Sequence, residues 1–412
     1  MIKGIIHLYR RAYSGLPKEA WFLFAVNLVN SSGAMVIFFL SLYLTRKLGF
    51  TPARAGQALS LYGAGSLAGA YLGGWFSDRI GSTSVQKLSL ALSGGFLLAL
   101  GQVRSPSGLL PILFLFSTAA GALYPANAAS MSRVCPPDLQ VKGFALNRLA
   151  NNLGVTIGPA VGGLLALRDY RLLFWADGLT CIAAAGLFLV IWKKPESRLR
   201  AAEVQEGPRP PDAARTPWRD RPFLFLMLLV VVWGAVFVQL FATFPLYMRG
   251  VYGLAEDKIG RLLAVNTILI VTLEMALMEK IRAYSRTRMI NLSFILLGLG
   301  FGLMPLGRGF FYAAFTVAVW TFGEILSMPL LTALIAGRAG PETRGRYMGI
   351  FSFAFSLAFI VGPAAGATVY GRLGESVLWF GCAGVAALLA VSFSALRRSL
   401  EPSQSASPGT IS

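Results

Sequence analysis

Along this chain apolar residues gather in blocks of roughly twenty, separated by short gaps that carry the glycines, prolines and charges. A helix rises 1.5 Å per residue, so about 20 apolar residues cross ~30 Å of hydrocarbon. Twelve such blocks can be placed, approximately at 19–45, 57–77, 86–103, 109–133, 141–167 and 172–193, then at 221–249, 257–280, 289–307, 310–337, 346–370 and 376–397. The pattern predicts an all-α membrane protein of twelve transmembrane helices, because a spanning segment must satisfy its backbone internally.

Composition agrees: 55% of residues are hydrophobic and 13% charged, where a soluble chain carries about a quarter charged. The net charge of +19 lies in the gaps between blocks and forms no basic stripe with interleaved aromatics, so a lipid bilayer rather than a nucleic acid is the expected partner. With both termini on one side, that side holds 25 of the 37 Lys and Arg and the opposite loops hold 11, leaving Arg148 inside a span. The bias predicts cytoplasmic termini. The lack of a long outer domain suggests a bacterial inner membrane. Residues 1–18 read as a retained, basic cytoplasmic segment without the apolar core and cleavage site of a signal peptide. Cys135, Cys181 and Cys382 show no paired spacing, and the single histidine, His7, precedes the first span. No disulfide, metal or cofactor is therefore expected, and proton chemistry inside the membrane falls to carboxylates.

The one long gap, "KKPESRLRAAEVQEGPRPPDAARTPWRDRP", has almost nothing apolar to bury and reads as a flexible cytoplasmic linker at 194–220. It divides two six-helix bundles, 19–193 and 221–397, the second followed by a tail at 398–412. The halves repeat. A shift of 204 residues puts Pro125 on Pro329, Pro137 on Pro341, Asp138 on Glu342, Lys142 on Arg346, Gly158–Pro159 on Gly362–Pro363 and Gly162 on Gly366. Two parallel halves about an axis along the membrane normal form a transporter architecture.

Within that frame, Gly74-Trp-Phe-Ser-Asp78-Arg79-Ile-Gly81 resembles the loop after the second span of the major facilitator superfamily, G-x-x-x-D-[RK]-x-G. The resemblance implies the fold of that superfamily. It also implies an inner gate in which Asp78 meets the start of the eleventh span, "RGRYMG", where Arg344, Arg346 and a helix N-terminus offer positive charge. Ser82 and Thr83 stand where the family usually has two basic residues. Gly154-x-x-x-Gly158-Pro159-x-x-Gly162-Gly163 looks like the fifth-span motif of the antiporter branch, and "TFGEILSMP" also resembles drug/proton antiporters. Small residues at this spacing make a smooth helix face, and Pro159 bends it. The fourth span, "LFLFSTAAGALYPANAASMSR", lacks the internal Arg of many such exporters.

Polar groups are costly in hydrocarbon, so their distribution marks the helices that line water. Asn27 and Asn30 lie in the first span, Asn127 in the fourth, and Arg148, Asn151 and Asn152 in the fifth. In the second half they are Gln239 in the seventh span, Asn266 and Glu274 in the eighth and Glu324 in the tenth. The third, sixth, ninth and twelfth spans have almost none away from their ends, so they are expected on the outside. Glu324 lies ~21 Å along its span, near the midplane, where an ionised carboxyl costs about 2.5–3.5 kcal/mol unless paired. It is the first candidate for exchanging a proton as access alternates, against the alternative of a permanently protonated hydrogen-bonding group. Arg148 and Glu274 each sit ~9 Å from the cytoplasmic end of their helices. The family fold brings these helices together, so the two are expected to pair across the halves when the protein faces outward and to separate when it opens inward. The alternative has Arg148 snorkelling to headgroups and Glu274 pairing with Lys280. Trp233, Phe237 and Phe241 recur at i, i+4, i+8, as packing or as an aromatic wall.

The leading expectation is a proton-coupled exporter of a small organic or amphipathic solute working by alternating access as a monomer. An uptake symporter is the alternative. No G-x-x-x-x-G-K-[ST], H-E-x-x-H or G-x-S-x-G occurs, which disfavours an ATP-driven pump or an enzyme, and no extramembrane domain supports a receptor.

Overall fold

The computed structural model describes residues 13–103, 105–136, 139–192, 216–281, 283–339 and 343–400. The first span runs as Lys18–Gly33 and Val36–Arg46, followed by Pro52–Ile80, Ser82–Leu100, Pro106–Val134, Gln140–Arg168 and Arg171–Ile191. The second half begins with a broken seventh span, Arg221–Phe237, Gln239–Ala242 and Phe244–Gly250, and continues with Glu256–Ile281, Arg286–Leu303, Phe310–Arg338, Arg344–Arg372 and Glu375–Leu400. Eleven of these spans are long and apolar enough to cross a membrane by composition alone. The second span, Pro52–Ile80, has 29 residues but owes its modest hydropathy to Gly, Ala and Ser. The expectations for residues 1–12, most of the linker and the tail from 401 lie outside the described residues, as do Pro137, Asp138, Pro341 and Glu342.

Local chemistry sets the helix starts. Thr51 accepts a hydrogen bond from the Arg54 amide ahead of Pro52, and Ser105 does the same for Gly108 ahead of Pro106. Each pairs a side-chain cap with a proline whose missing N–H would be unused in any case. Gly81 turns the chain from the second span into the third at φ +91°, a conformation that favours glycine. Inside each half, small residues let backbones meet: an added Cβ at Gly73 would strike Ala122, and one at Gly121 would strike the Ser66 carbonyl.

The two broken spans obey the same repeat as the sequence. The first breaks at Ala34–Met35 and the seventh around Val238–Gln239, 204 residues on. Glycines of the predicted fifth-span motif receive the first break: Gly154 faces Ser31, Gly158 the Ala34 carbonyl and Gly162 the Met35 side chain. In the eleventh span Gly362 faces Val238 and Gly366 faces the Gln239 amide in the corresponding places.

Taking the inner side as the one that carries residues 13 and 400, the halves meet at their outer ends. Gly56 packs on the Pro363 carbonyl oxygen, while Gly260 packs on that of Pro159, its pseudo-symmetric counterpart. Phe38 lies 5.1 Å from Phe241, and Ser41 Oγ donates to the Phe241 carbonyl at 3.4 Å. Three turns inward the second and eleventh spans have parted. Gly63 packs against Phe359 and Ile360, yet a Cβ placed on Gly74 or Gly349, each eleven residues further in along its helix, would meet nothing within 4 Å. Tyr71 (74% exposed), Tyr124 (79%) and Phe353 (54%) are uncovered at this level. The molecule is open on the side that carries residues 13 and 400.

Candidate functional site

Many of the polar residues of the spans gather in two clusters, one in each half. In the first half, Asn27 donates to the Asn147 amide oxygen at 3.0 Å and to its carbonyl at 3.1 Å, and Asn127 donates to the same amide oxygen at 3.1 Å. Ser31 reaches Asn151 at 3.2 Å and Asn27 at 3.4 Å. Asn147 is thus the acceptor on which the first and fourth spans converge. It adjoins Arg148, and the third amide in "LNRLANN" is the signal that could have found it. Asn127 Oδ1 is buried without a protein hydrogen bond.

In the second half, Asn266 uses both amide hydrogens, one on Thr321 at 3.0 Å and one on Glu324 Oε2 at 2.8 Å. Asn266 is buried, whereas Glu324 is half-buried beside it. Arg148 and Glu274 lie close enough to Glu324 to act on it through space, and they are themselves joined at 2.5 Å across the halves. The two residues expected to pair across the halves are thus in contact in this conformation. The fifth and eighth spans stay in register from the Gly163–Glu256 contact inward, so the pair survives where the second and eleventh spans have parted. Arg148 is 48% exposed at its side chain, so water screens the pair and its net contribution is about 1 kcal/mol or less.

Other candidates stand elsewhere. Gln239 is buried, donating to the carbonyls of Ala235 at 2.9 Å and Gly362 at 2.8 Å, which satisfies backbone at the seventh-span break instead of facing the cavity. Asn30 accepts from the Cys181 thiol at 3.4 Å and so addresses the sixth span. For Asn152 the contact shown is through its backbone, to Thr156. Trp233 and Phe237 are buried and stacked 5.4 Å apart, and Trp233 lies 5.9 Å from Phe355. They pack the seventh span on the eleventh. Of the inner-gate candidates, Asp78 and Arg346 are exposed, and Arg79 lies 3.7 Å over the Trp75 ring.

Three acidic groups that the pattern did not single out are buried. Asp177 lies in the sixth span, which was expected to hold almost no polar groups away from its ends. It accepts from the Val36 amide, the first residue of the outer half of span one, at 3.3 Å. Glu256 closes the outer face: it accepts from Tyr170 of the other half at 2.8 Å and lies 3.7 Å from Arg249. Burial, then the bond to Glu256, raise the Tyr170 pKa, so its proton stays in place to donate. On the inner side Asp220 caps the seventh span through the Phe223 amide at 3.2 Å, receives Arg338 through two bonds of 2.7 Å, and accepts from Tyr347 at 3.0 Å. Burial pushes this carboxyl up, but the bonds from Arg338, Phe223 and Tyr347 outweigh it and hold it below the usual aspartate value.

Two pseudo-symmetric six-helix bundles closed at one face around polar groups on their inner helices define a secondary transporter of the membrane. A sequence profile of the Major Facilitator Superfamily matches residues 21–343 and 281–411, and the chain belongs to that superfamily. It is 25% identical over 81% of its length to 85% of the Na(+), Li(+), K(+)/H(+) antiporter of Planococcus maritimus. It is 24% identical over 85% of its length to 86% of the multidrug resistance protein MdtH of Enterobacter sp. (strain 638). Among solved structures, a POT family transporter in complex with 5-aminolevulinic acid superposes with a TM-score of 0.80 at 15% identity, covering 95% of this chain and 98% of the other. At that identity the likeness concerns the fold.

Proposed function

We propose that the chain exchanges a proton for a small organic or amphipathic solute and exports that solute across a bacterial inner membrane, with both termini in the cytoplasm. The observation that carries this reading is Glu324, a half-buried carboxyl near the middle of its span. The neutral Asn266 donates to it, and the Arg148–Glu274 pair stands within electrostatic reach. A carboxyl so placed can take a proton when a cationic or polar solute leaves and give it up when one arrives. Glu274 adds a second titratable carboxyl whose partner, Arg148, belongs to the other half. The amides around Asn147 supply neutral hydrogen-bonding positions on the facing wall. The gate formed by Asp78 and the start of the eleventh span assembles when the inner ends close. The antiporter and multidrug names of the two relatives favour exchange and export over uptake.

The test is proton release from purified protein on addition of sodium, lithium or potassium chloride, or of ethidium as a lipophilic cation. Wild type is compared with Glu324→Gln and Glu274→Gln. Release in wild type that disappears in Glu324→Gln, with ethidium binding retained, is expected. Binding without release in wild type would sink proton exchange, and solute uptake that follows an inward proton gradient in liposomes would favour the symporter instead.

A further inference from the structure

Asp177 has no part in the mechanism above, yet it is a carboxyl inside a membrane span, 94% removed from solvent by its relative exposure of 6%. It lies about 9 Å from the outer end of the sixth span. The Cys181 thiol stands 3.9 Å from Asp177 Oδ1 and 3.4 Å from Asn30 Oδ1, and its single proton serves one of them at a time. The second donor is the Val36 amide on Oδ2. Each neighbouring element contributes only neutral groups. The first span brings Asn30 with the Met35 and Val36 amides, the second Tyr62, the sixth Cys181, and the third sets Gly94 against Gly178. Among the described residues no cation pairs with it.

What Asp177 grips is the root of Val36–Arg46, the half-helix that carries Phe38 and Ser41 to their contacts with Phe241 of the other half. An ionised carboxyl at a helix N-terminus is held both by the hydrogen bond and by the helix dipole. A neutral carboxyl keeps only a weaker hydrogen bond. We propose that Asp177 is a second proton-binding site of the transport cycle and that its proton frees the outer half of the first span to leave the seventh. The proton adds to a carboxylate oxygen and the Val36 N–H bond slackens; no other bond is made or broken. Ionised Asp177 holds the outer face shut, and a proton entering from the outer side opens it. This inference rests on the proton-coupled reading, with Glu324 as the carboxyl that exchanges with solute.

The experiment places spin labels at Lys47→Cys and Gly250→Cys, on the outer ends of the first and seventh spans, and follows their distance across about pH 8 to 5. Wild type should show an outer-open fraction that rises as pH falls. Asp177→Asn should be open at every pH, with an outer-open population at the alkaline end about 5-fold or more above wild type. Asp177→Glu keeps a carboxyl and folds most like wild type, so a displaced pH midpoint in it tests the site even where the asparagine variant does not assemble. A fixed structural cap predicts no pH response and an Asp177→Asn protein as closed as wild type. That result, or an unmoved midpoint in Asp177→Glu, overturns the proposal. If wild type releases protons on solute binding yet shows no pH response here, Asp177 alone fails; if it releases none, the proton-coupled reading fails with it.

Discussion

Placing a methyl group on Gly260 should push the transporter outward. A Cβ there meets the Pro159 carbonyl oxygen at less than any real contact distance and stands 3.2 Å from the Gly163 Cα. Both obstacles are backbone, so neither can rotate away. These contacts exist only while the outer ends of the fifth and eighth spans are closed, and opening relieves them at no cost to either half. Overpacking of this kind costs about 1–3 kcal/mol, which acts here on one side of the equilibrium and multiplies the outward-facing population about 5- to 150-fold. Gly56→Ala, the pseudo-symmetric change, meets the Pro363 oxygen and the Ala367 Cβ at 2.5 Å each and should act in the same direction. Double electron–electron resonance reads the shift from labels at Thr51→Cys and Leu373→Cys outside and Ile80→Cys and Gly345→Cys inside, since the native cysteines are all buried. The control is Gly121→Ala, whose obstacle, the Ser66 carbonyl, lies within the same half. It should lower the melting temperature and leave the equilibrium alone. If Gly260→Ala and Gly56→Ala lower stability as Gly121→Ala does, with unchanged distances, the outer seam is not the element that opens.

Three further outcomes are expected. Tyr170→Phe removes a neutral donor that reaches Glu256 across the halves, a bond to a charged group worth about 1.5–3 kcal/mol, so labelling of Phe38→Cys from outside should quicken by about tenfold; no change would place the outer seal elsewhere. A double-mutant cycle of Arg148→Ala and Glu274→Ala in thermal unfolding should give a coupling of about 1 kcal/mol or less, because Arg148 is half exposed, and a coupling above about 3 kcal/mol would mark the pair as dry. The Asp220 carboxyl is held below its ordinary value, so its stabilisation is complete above about pH 3.9 and is lost as pH falls through the lower folded value. Asp220→Asn should therefore melt lower at neutral pH and lose its disadvantage in acid, and a deficit that persists at low pH would contradict this linkage.

Much of the molecule was legible in the chain. Eleven spans announced themselves by hydropathy because partition into hydrocarbon depends on a window of about twenty residues, whatever lies beside it, while the second, rich in Gly, Ala and Ser, did so more weakly. The 204-residue repeat exposed the two halves, and the same offset relates the breaks of the first and seventh spans and the Gly56–Pro363 and Gly260–Pro159 contacts. Glu324, Arg148 and Glu274 stood out as charges in apolar blocks. Asp177 escaped because it lies only six residues into its span, where a charge reads as the end of a helix. Glu256 escaped for the same reason at the first residue of the eighth span.

What tertiary structure decided is which way each helix is turned and which ends are shut. Gln239 and Asn266 look alike as amides in apolar runs. Only Gly366, which admits the Gln239 side chain, and the Gly362 carbonyl, which accepts from it, send the first to the backbone of a broken helix, while the second reaches Glu324. Hydropathy is a sum over one segment and needs no neighbour, whereas rotation and closure are set by contacts between segments far apart in the chain, such as Gly260 on Pro159 or Tyr170 on Glu256.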